Sequence, residues 1–293
     1  MSETTHQYEH YYVPAQSHWP ITGSVGLACF MVGIANLLHG HIAGHYFFFF
    51  GSLCIVYMMF GWFRDVIRES HQGLYSKQMD RSFRWGMAWF IFSEVMFFAA
   101  FFGALFYARN FSVPWLGGEG ARGASHLLWP KFSAIWPLLQ NPNPELYHDP
   151  KDVINAWGIP ALNTLILLTS GVTITIAHWG LVKKNRPQLI IGLFLTVALG
   201  ITFISFQAYE YIHAYHALNL TLNSGIYGST FFMLTGFHGA HVTIGTIMLI
   251  VILMRCLKGH FTPEHHFGFE AVAWYWHFVD VVWLFLFVFV YWL

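Results

Sequence analysis

The sequence predicts an all-α polytopic membrane protein with seven transmembrane helices. The chain of 293 residues is 56% hydrophobic and only 10% charged, whereas soluble domains carry roughly 25% charged residues. Its apolar residues are grouped in long stretches, and about 20 such residues are enough for a helix to cross a bilayer. The formal net charge is zero, so no basic surface favours nucleic-acid binding.

Seven stretches meet this length requirement, and each predicts one membrane-spanning helix. Proline falls only at their edges: Pro20 and Pro160 lie at helix starts, and Pro187 just precedes one. No proline therefore interrupts a hydrogen-bonded helix interior. The predicted spans are 20–38, 45–63, 82–108, 159–181, 188–211, 228–256 and 270–293.

Small residues recur at helical spacing in two of the spans. Gly23, Gly26 and Gly33 lie near one face of the first helix, and Ala99 is followed one turn later by Gly103 on the third. Small residues at such positions let helix backbones approach closely in a membrane. We therefore expect a tightly packed helical bundle.

The chain is expected to form one membrane domain. Residues 1–19 precede the first span, 20–64 hold two helices, and 82–293 hold the other five. The only sizeable connection, 109–158, is rich in proline, glycine and tryptophan. We expect it to form an irregular cap outside the membrane.

Positive charge predicts the topology, because cytoplasmic connections carry an excess of Lys and Arg. The connections after the first and fifth spans hold neither residue, whereas those after the second, fourth and sixth are basic. We expect the N-terminus inside and the C-terminus outside. The basic residues at these connections are Arg64, Arg68, Lys77, Arg81, Arg84, Lys183, Lys184, Arg186, Arg255 and Lys258.

Ionisable residues lie within three otherwise apolar spans: Glu94, His238, His241, His277 and Asp280. A charge in hydrocarbon costs roughly 3 kcal/mol on insertion scales, so such a residue is a functional candidate. A rise of 1.5 Å per residue places Glu94 and Asp280 about 15 Å and His241 about 20 Å from the inner edge, with His277 one turn shallower and His238 one turn further out. We expect one buried polar cluster near the bilayer midplane, centred on Glu94.

Three roles fit this cluster. It can fix helix packing, with Glu94 neutral or hydrogen-bonded to a histidine, or it can hold a proton-linked carboxylate. A metal or haem site is the third, but His238 and His241 lie only one turn apart on one helix. The cysteines, Cys29, Cys54 and Cys256, are far apart in sequence and supply no metal-ligand spacing.

A second polar group is predicted at the inner ends of the second and sixth helices. Long basic side chains there can snorkel as a collar, with Asp65 and Glu69 at helical spacing flanked by arginine. They can also bind a lipid headgroup, since tryptophan favours the membrane interface and arginine binds anionic lipid. The candidate lipid-binding residues are Trp62, Arg64, Arg68, Arg255, Lys258 and His260.

Glu210, His213 and His216 close the fifth helix at one-turn spacing. Such a triplet can bind a metal. A solvated helix end is the interpretation that we favour here.

Several stretches resemble the subunit III family of cytochrome c oxidase, and together they cover most of the chain. The most diagnostic is HFTPEHHFGFEAVAWYWHFVDVVWLF at 260–285. The others are WPITG at 19–23, WFRDVIRES at 62–70, SEVMFFAAFFGALFY at 93–107, LNTLILLTSGVTITIAHWGL at 162–181 and GIYGSTFFMLTGFHGAHVTIGT at 225–246.

The resemblance implies a subunit without an active site or redox metal, which packs on the catalytic subunit I. Haem and copper are expected only in partner subunits, subunit II being another member of the complex. In the family, the first two helices are separated from the other five by a V-shaped cleft that holds phospholipids. Glu94 matches the intramembrane carboxylate of the family, while Trp62, Arg64, Arg68 and Arg255 match positions near these lipids.

The resemblance also implies a function: keeping proton uptake into subunit I fast and protecting its active site during turnover. The 109–158 connection departs from the family pattern in its Trp129–Pro130 and Trp136–Pro137 pairs. This favours a bacterial cytoplasmic membrane, with the mitochondrial inner membrane as the alternative. Other functions left open are subunit III of a quinol oxidase, whose typical form lacks the first two helices, and a proton-coupled transporter.

Overall fold

The computed structural model describes residues 12–293, and these form helices and irregular connections without any β-strand. Within this range seven helices are long and apolar enough to cross a membrane, which confirms the predicted fold class. We number them α1 (Trp19–Leu38), α2 (Ala43–His71), α3 (Lys77–Tyr107), α4 (Ile159–Val182), α5 (Arg186–His216), α6 (Gly225–Leu257) and α7 (Phe267–Leu286).

Several helices run past the ends of the predicted spans. α2 continues to His71 rather than ending at residue 63, and α5 continues to His216 rather than to residue 211. Apolar stretches mark only the part of a helix that suits hydrocarbon. The backbone hydrogen bonds continue into polar sequence, where water or the next element receives the helix end.

The chain stays helical past residue 108, within the stretch that we expect to form the cap. After α3 the chain continues through a π-type turn, Ala108–Ser112, and a short α-helical turn, Val113–Leu116. Pro114 stands at the beginning of that turn, where a helix tolerates a residue without an N–H group. Beyond it, Gly120–Leu127 forms 3₁₀ helix and the rest of the cap is irregular.

The cap is attached to the connection between α5 and α6. Lys151 N donates to Leu218 O at 2.8 Å, and Asn219 Nδ2 donates to Asp149 O at 3.0 Å. Trp136 also packs edge-on against Tyr227 of α6, with ring centroids 5.6 Å apart. These contacts fix the cap at one end of the helix bundle.

The chain divides within α3 into two compact units, Met1–Phe83 and Arg84–Leu293. In the first unit α1 and α2 pack with their backbones close together. A Cβ added at Gly33 would meet the backbone of Phe48, and one added at Gly51 would meet the backbone of Phe30. The small residues of α1 therefore do allow the close approach predicted for them.

The second unit holds α4 to α7 and most of α3. Its core is aromatic, since Trp276, Trp283, Phe203 and Phe231 are each at most 1% exposed. The small pair predicted on α3 does not form a helix contact. Among the described residues, no atom lies within 4 Å of a Cβ added at Gly103.

Candidate functional site

Glu94 of α3 and His241 of α6 form a direct side-chain pair in the second unit. Their Oε2 and Nε2 atoms lie 2.8 Å apart, and the side chains are 22% and 14% exposed, respectively. His241 Nδ1 contacts Phe237 O at 2.6 Å, so this nitrogen must carry a proton. A second proton then lies between Nε2 and the carboxylate, either as an ion pair or as a neutral acid and base.

Aromatic rings surround this pair. Phe97 and Phe98 of α3 lie 6.0 and 5.0 Å from the imidazole of His241, and Tyr275 of α7 lies 6.3 Å from it. Such an apolar environment strengthens a hydrogen bond between the two groups and penalises either charge alone.

His238 lies one turn from His241 but has a different partner. Its side chain is 1% exposed, and its Nε2 contacts Val279 O of α7 at 3.1 Å. The rings of Phe203 and Trp283 flank it at 5.8 and 5.2 Å. This imidazole therefore connects two helices through the backbone.

His277 and Asp280 of α7 both face α4. Thr175 Oγ1 lies 3.3 Å from His277 Nε2. A Cβ added at Gly171 would lie 2.9 Å from Asp280 Oδ2 and 3.6 Å from His277 Nδ1, so both side chains adjoin this glycine. Asp280 is 8% exposed, and its Oδ1 has no hydrogen-bond partner within the described chain.

The five side chains therefore do not form the single cluster that we expected, because they have different partners. The structure brings Glu94 and His241 together, whereas His238 bonds to the backbone of α7 and His277 and Asp280 face α4. The rise per residue determines depth along a helix, but it does not determine how the helix is rotated about its axis. Between residues 12 and 293, no group of three or more His, Cys, Asp or Glu residues could hold a metal ion.

The basic group of the first unit adjoins a pocket between the first residue of α1 and the second half of α2. Trp62, Arg64 and Arg68 are all exposed. The pocket has a volume of about 400 Å³, which is enough for a polar headgroup. It is lined by Trp19, Tyr57, Phe60, Gly61 and Arg64.

The acidic residues beside these arginines are bound by aromatic donors, which the sequence analysis did not predict. Trp19 Nε1 donates to Asp65 Oδ2 at 2.9 Å, and Glu69 accepts from Tyr12 at 3.1 Å and from Tyr75 at 2.7 Å. Burial, and next the hydrogen bond to Glu69, raise the pKa of the Tyr75 phenol. Tyr75 therefore remains protonated and keeps donating at neutral pH.

The basic group of the second unit lies at the end of α6. The guanidinium of Arg255 lies over the ring of Phe261, 4.2 Å from its centroid, a cation–π geometry. Lys258 is exposed and His260 is half-buried. Arg186 Nη2 donates to Leu257 O at 2.7 Å, so the start of α5 adjoins this end of α6.

We expected Glu210 to lie at a solvated helix end, but the structure buries it. It is 2% exposed, and its Oε1 accepts from Tyr291 at 2.5 Å and from Gln207 at 3.3 Å. His213 and His216 are exposed and do not join it. The signal for this site was the polar pair Gln207 and Glu210 at i, i+3, inside a helix that continues past residue 211.

The family model for "Cytochrome c oxidase subunit III" matches residues 9–121 and 145–293. The break in the match falls within the predicted cap, where the sequence departs from the family pattern.

Curated relatives match the chain over nearly its whole length. "Cytochrome c oxidase subunit 3" of Dugong dugon is 45% identical over 289 residues, covering 98% of each chain. The protein of the same name from Drosophila melanogaster is 43% identical, covering 99% of this chain and 98% of its own. That of Marchantia polymorpha is 44% identical, covering 94% and 93%. With its seven apolar helices, this chain is an integral membrane protein that belongs to the cytochrome c oxidase subunit III family.

Proposed function

We propose that this chain is the non-redox subunit III of a proton-pumping cytochrome c oxidase. It packs on the catalytic subunit I in a complex with subunit II, and those partners hold the haem and copper. The relatives named above support this assembly, because they match the chain end to end at 43–45% identity.

The contact between Glu94 and His241 is the main observation that supports a role without a redox metal. A metal ligand must present a free imidazole nitrogen, yet both ring nitrogens of His241 have polar partners. His238 Nε2 is also engaged, by the backbone of Val279. These imidazoles use their polar atoms for contacts between helices or with their own helix.

The same pair supports a role in proton uptake. Glu94 and His241 share one proton across a 2.8 Å contact, within a bundle of otherwise apolar helices. Such a pair can give one proton to a neighbouring proton pathway and accept another from it. The net charge inside the membrane is then unchanged. We infer that it supports proton uptake by subunit I and so protects the active site during turnover.

Phospholipid binding is supported separately in each unit. Arg64 supplies a cation to the 400 Å³ pocket of the first unit, whose other walls are mainly aromatic. In the second unit, Arg255, Lys258 and His260 place basic groups at one end of α6. Basic groups beside aromatic rings suit a phosphate headgroup with its acyl chains in the bilayer.

We further propose a location in the bacterial cytoplasmic membrane, with the N-terminus inside and the C-terminus outside; the mitochondrial inner membrane is the alternative. Tyr12 contacts Glu69 near the end of α2, which supports placing the start of the described chain on the side of the basic α2–α3 connection. Residues 1–11 of the predicted inner segment lie outside the described residues.

Purification of the complex in mild detergent, followed by removal of this chain, tests the non-redox role. Haem and copper should stay with the remaining subunits, and the depleted complex should lose activity faster during turnover. A Soret band in the purified chain alone would overturn the proposal. Copper in a co-purifying subunit II separates this function from that of a quinol oxidase.

The lipid sites are tested by the double substitution Arg64→Gln, Arg68→Gln in the complex. Phospholipid retained after detergent washing should fall, as measured by mass spectrometry, while haem content stays unchanged. Lys183→Gln, Lys184→Gln in the α4–α5 connection removes the same charge as a matched control. Equal lipid content in both variants would contradict the first-unit site.

A further inference from the structure

A file of polar side chains runs along the interface between α4 and α7 in the second unit. At one end, the rings of His266 and His178 lie with centroids 5.3 Å apart and their planes inclined at 60°. Further along, Thr175 Oγ1 contacts His277 Nε2 at 3.3 Å. Asp280 ends the file one turn beyond His277.

Helical geometry explains the alignment. Gly171, Thr175 and His178 are spaced by four and three residues, so they share one face of α4. Since α4 and α7 run in opposite directions, each step along that face meets the next polar residue of α7. Asp280 lies thirteen residues after Phe267, which places it about 20 Å into the helix, far from either end of a core about 30 Å thick.

Three atoms of this file are buried without a hydrogen-bond partner in the described part of the chain: His266 Nδ1, His178 Nε2 and Asp280 Oδ1. Buried polar atoms in folded proteins are nearly always bonded to protein or to ordered water. Their succession along a single interface therefore indicates a passage that holds water. Gly171 leaves room for the Asp280 carboxylate against α4, because an added Cβ would lie 2.9 Å from its Oδ2.

The passage starts at a charged end of the bundle. Arg84 Nη2 and Glu270 Oε2 form an ion pair of 2.7 Å whose side chains are 32% and 17% exposed. The contact of Arg186 with Leu257 shows that the α4–α5 and α6–α7 connections share this end. By the distribution of Lys and Arg, this end is the predicted inner side.

The other end is closed. One turn beyond Asp280, Trp283 is 0% exposed, and its Nε1 donates to Thr164 Oγ1 at 2.9 Å. A passage that ends in this way delivers a proton to a site and does not carry it across the membrane.

We propose that Asp280 is a proton-binding site in the middle of the membrane, reached through a water-filled passage along His266, His178, Thr175 and His277. A hydronium ion at the charged end gives its proton to the first water or imidazole. Each imidazole and hydroxyl accepts one proton and donates another, until Asp280 becomes a neutral carboxylic acid.

Other ionisable groups near α7 take no part in this passage. From α6, His238 bonds to the backbone of Val279, and His241 is paired with Glu94. At the charged end the facing groups are Arg84 and Glu270. The inference therefore does not rest on the proposed role of the Glu94–His241 pair, and its failure would leave that role untouched.

Infrared difference spectroscopy of the intact oxidase complex tests the site. The difference spectrum between acidic and alkaline buffer should contain a carboxylic-acid band. This band should be absent from the Asp280→Asn variant and present in the Glu94→Gln variant. On transfer to D₂O, the frequency of this band should shift within the mixing time of the buffers. Absence of an Asp280-dependent band would overturn the proposal.

Two substitutions test the passage. Gly171→Ala places a methyl group 2.9 Å from Asp280 Oδ2, and Thr175→Val removes the hydroxyl group while keeping the shape of the side chain. Each should slow the D₂O shift by about tenfold or more. If the Gly171→Ala variant fails to assemble into the complex, the rate of the D₂O shift in the Thr175→Val variant tests the passage.

Gly192→Ala is the matched control, since its added Cβ would lie 2.9 Å from Ala177 Cβ and away from the file. It should leave the rate of exchange unchanged. Exchange that is equally fast in Gly171→Ala, Thr175→Val and the control would show that protons reach Asp280 by another route, and would overturn the passage.

Discussion

At the scale of single residues, three ionisable side chains within the spans contact groups on other helical segments. Glu94 contacts His241, His238 contacts the backbone of Val279, and Glu210 contacts Tyr291. An unpaired polar group in hydrocarbon costs several kcal/mol, so each such contact selects one relative position of two helices. These residues help to specify the bundle as well as any function that they carry.

Glu94→Gln should leave assembly intact and change basal turnover little, because no electron carrier is expected to depend on this residue. The amide can still bond to His241 Nε2, so the loss of stability should be about 1 kcal/mol or less. Haem content and oxygen consumption of the purified complex measure the effect. Complete loss of haem from this variant would contradict the prediction.

Tyr291→Phe should destabilise the second unit by about 1–3 kcal/mol, because it leaves a buried oxygen of Glu210 with one donor fewer. Tyr209→Phe, on the same helix as Glu210 but 59% exposed, is the control and should change little. Thermal unfolding of the two variants in detergent compares them. Equal midpoints would show that the Tyr291 hydroxyl contributes nothing measurable.

At the scale of helices, close packing depends on glycine where two backbones meet. Gly26, Gly33 and Gly51 allow α1 and α2 to lie side by side, and there an added methyl group would meet a neighbouring residue. In the second unit the helices are held by aromatic rings and by indole hydrogen bonds, such as Trp276 Nε1 to Ser170 Oγ at 2.8 Å. Close approach at glycine occurs in the second unit as well, since a Cβ added at Gly192 would lie 2.9 Å from Ala177 Cβ.

Gly51→Ala should therefore destabilise the α1–α2 pair by about 1–3 kcal/mol, the usual effect of overpacking, because its Cβ would meet the backbone of Phe30. Gly86→Ala in α3 is the control, since no atom of the described chain lies within 4 Å of its added Cβ. Protease resistance of the full chain in detergent should fall for the first variant alone. A similar fall in both would refute this explanation.

At the scale of the whole molecule, the chain is divided inside α3, and the contacts of Glu94, His238, His277, Asp280 and Glu210 all lie within Arg84–Leu293. The pocket beside Arg64 lies within the first unit. The Glu94–His241 pair and the pocket beside Arg64 therefore lie in different units and are separable by truncation.

A chain shortened to residues 77–293 should still insert and co-purify with its partner subunits, because it keeps the basic start of α3 and the whole core of the second unit. It should lose the phospholipid bound beside Arg64. Co-purification and lipid mass spectrometry measure both outcomes. Failure of the shortened chain to insert, while a chain lacking only residues 1–11 inserts, would contradict the prediction.

The sequence alone determined the class of the fold, because seven apolar stretches of sufficient length leave few alternatives once the backbone must bond to itself in hydrocarbon. It also identified the family, and the presence of Glu94, His241 and Asp280 within apolar spans. Tertiary structure decided which of these groups meet. Partners depend on helix rotation and on contacts as distant as 147 residues between Glu94 and His241, and no local pattern in a sequence specifies either. The burial of Glu210 was decided in the same way, because its partner Tyr291 lies in the π-helical turn Phe287–Trp292 that follows α7.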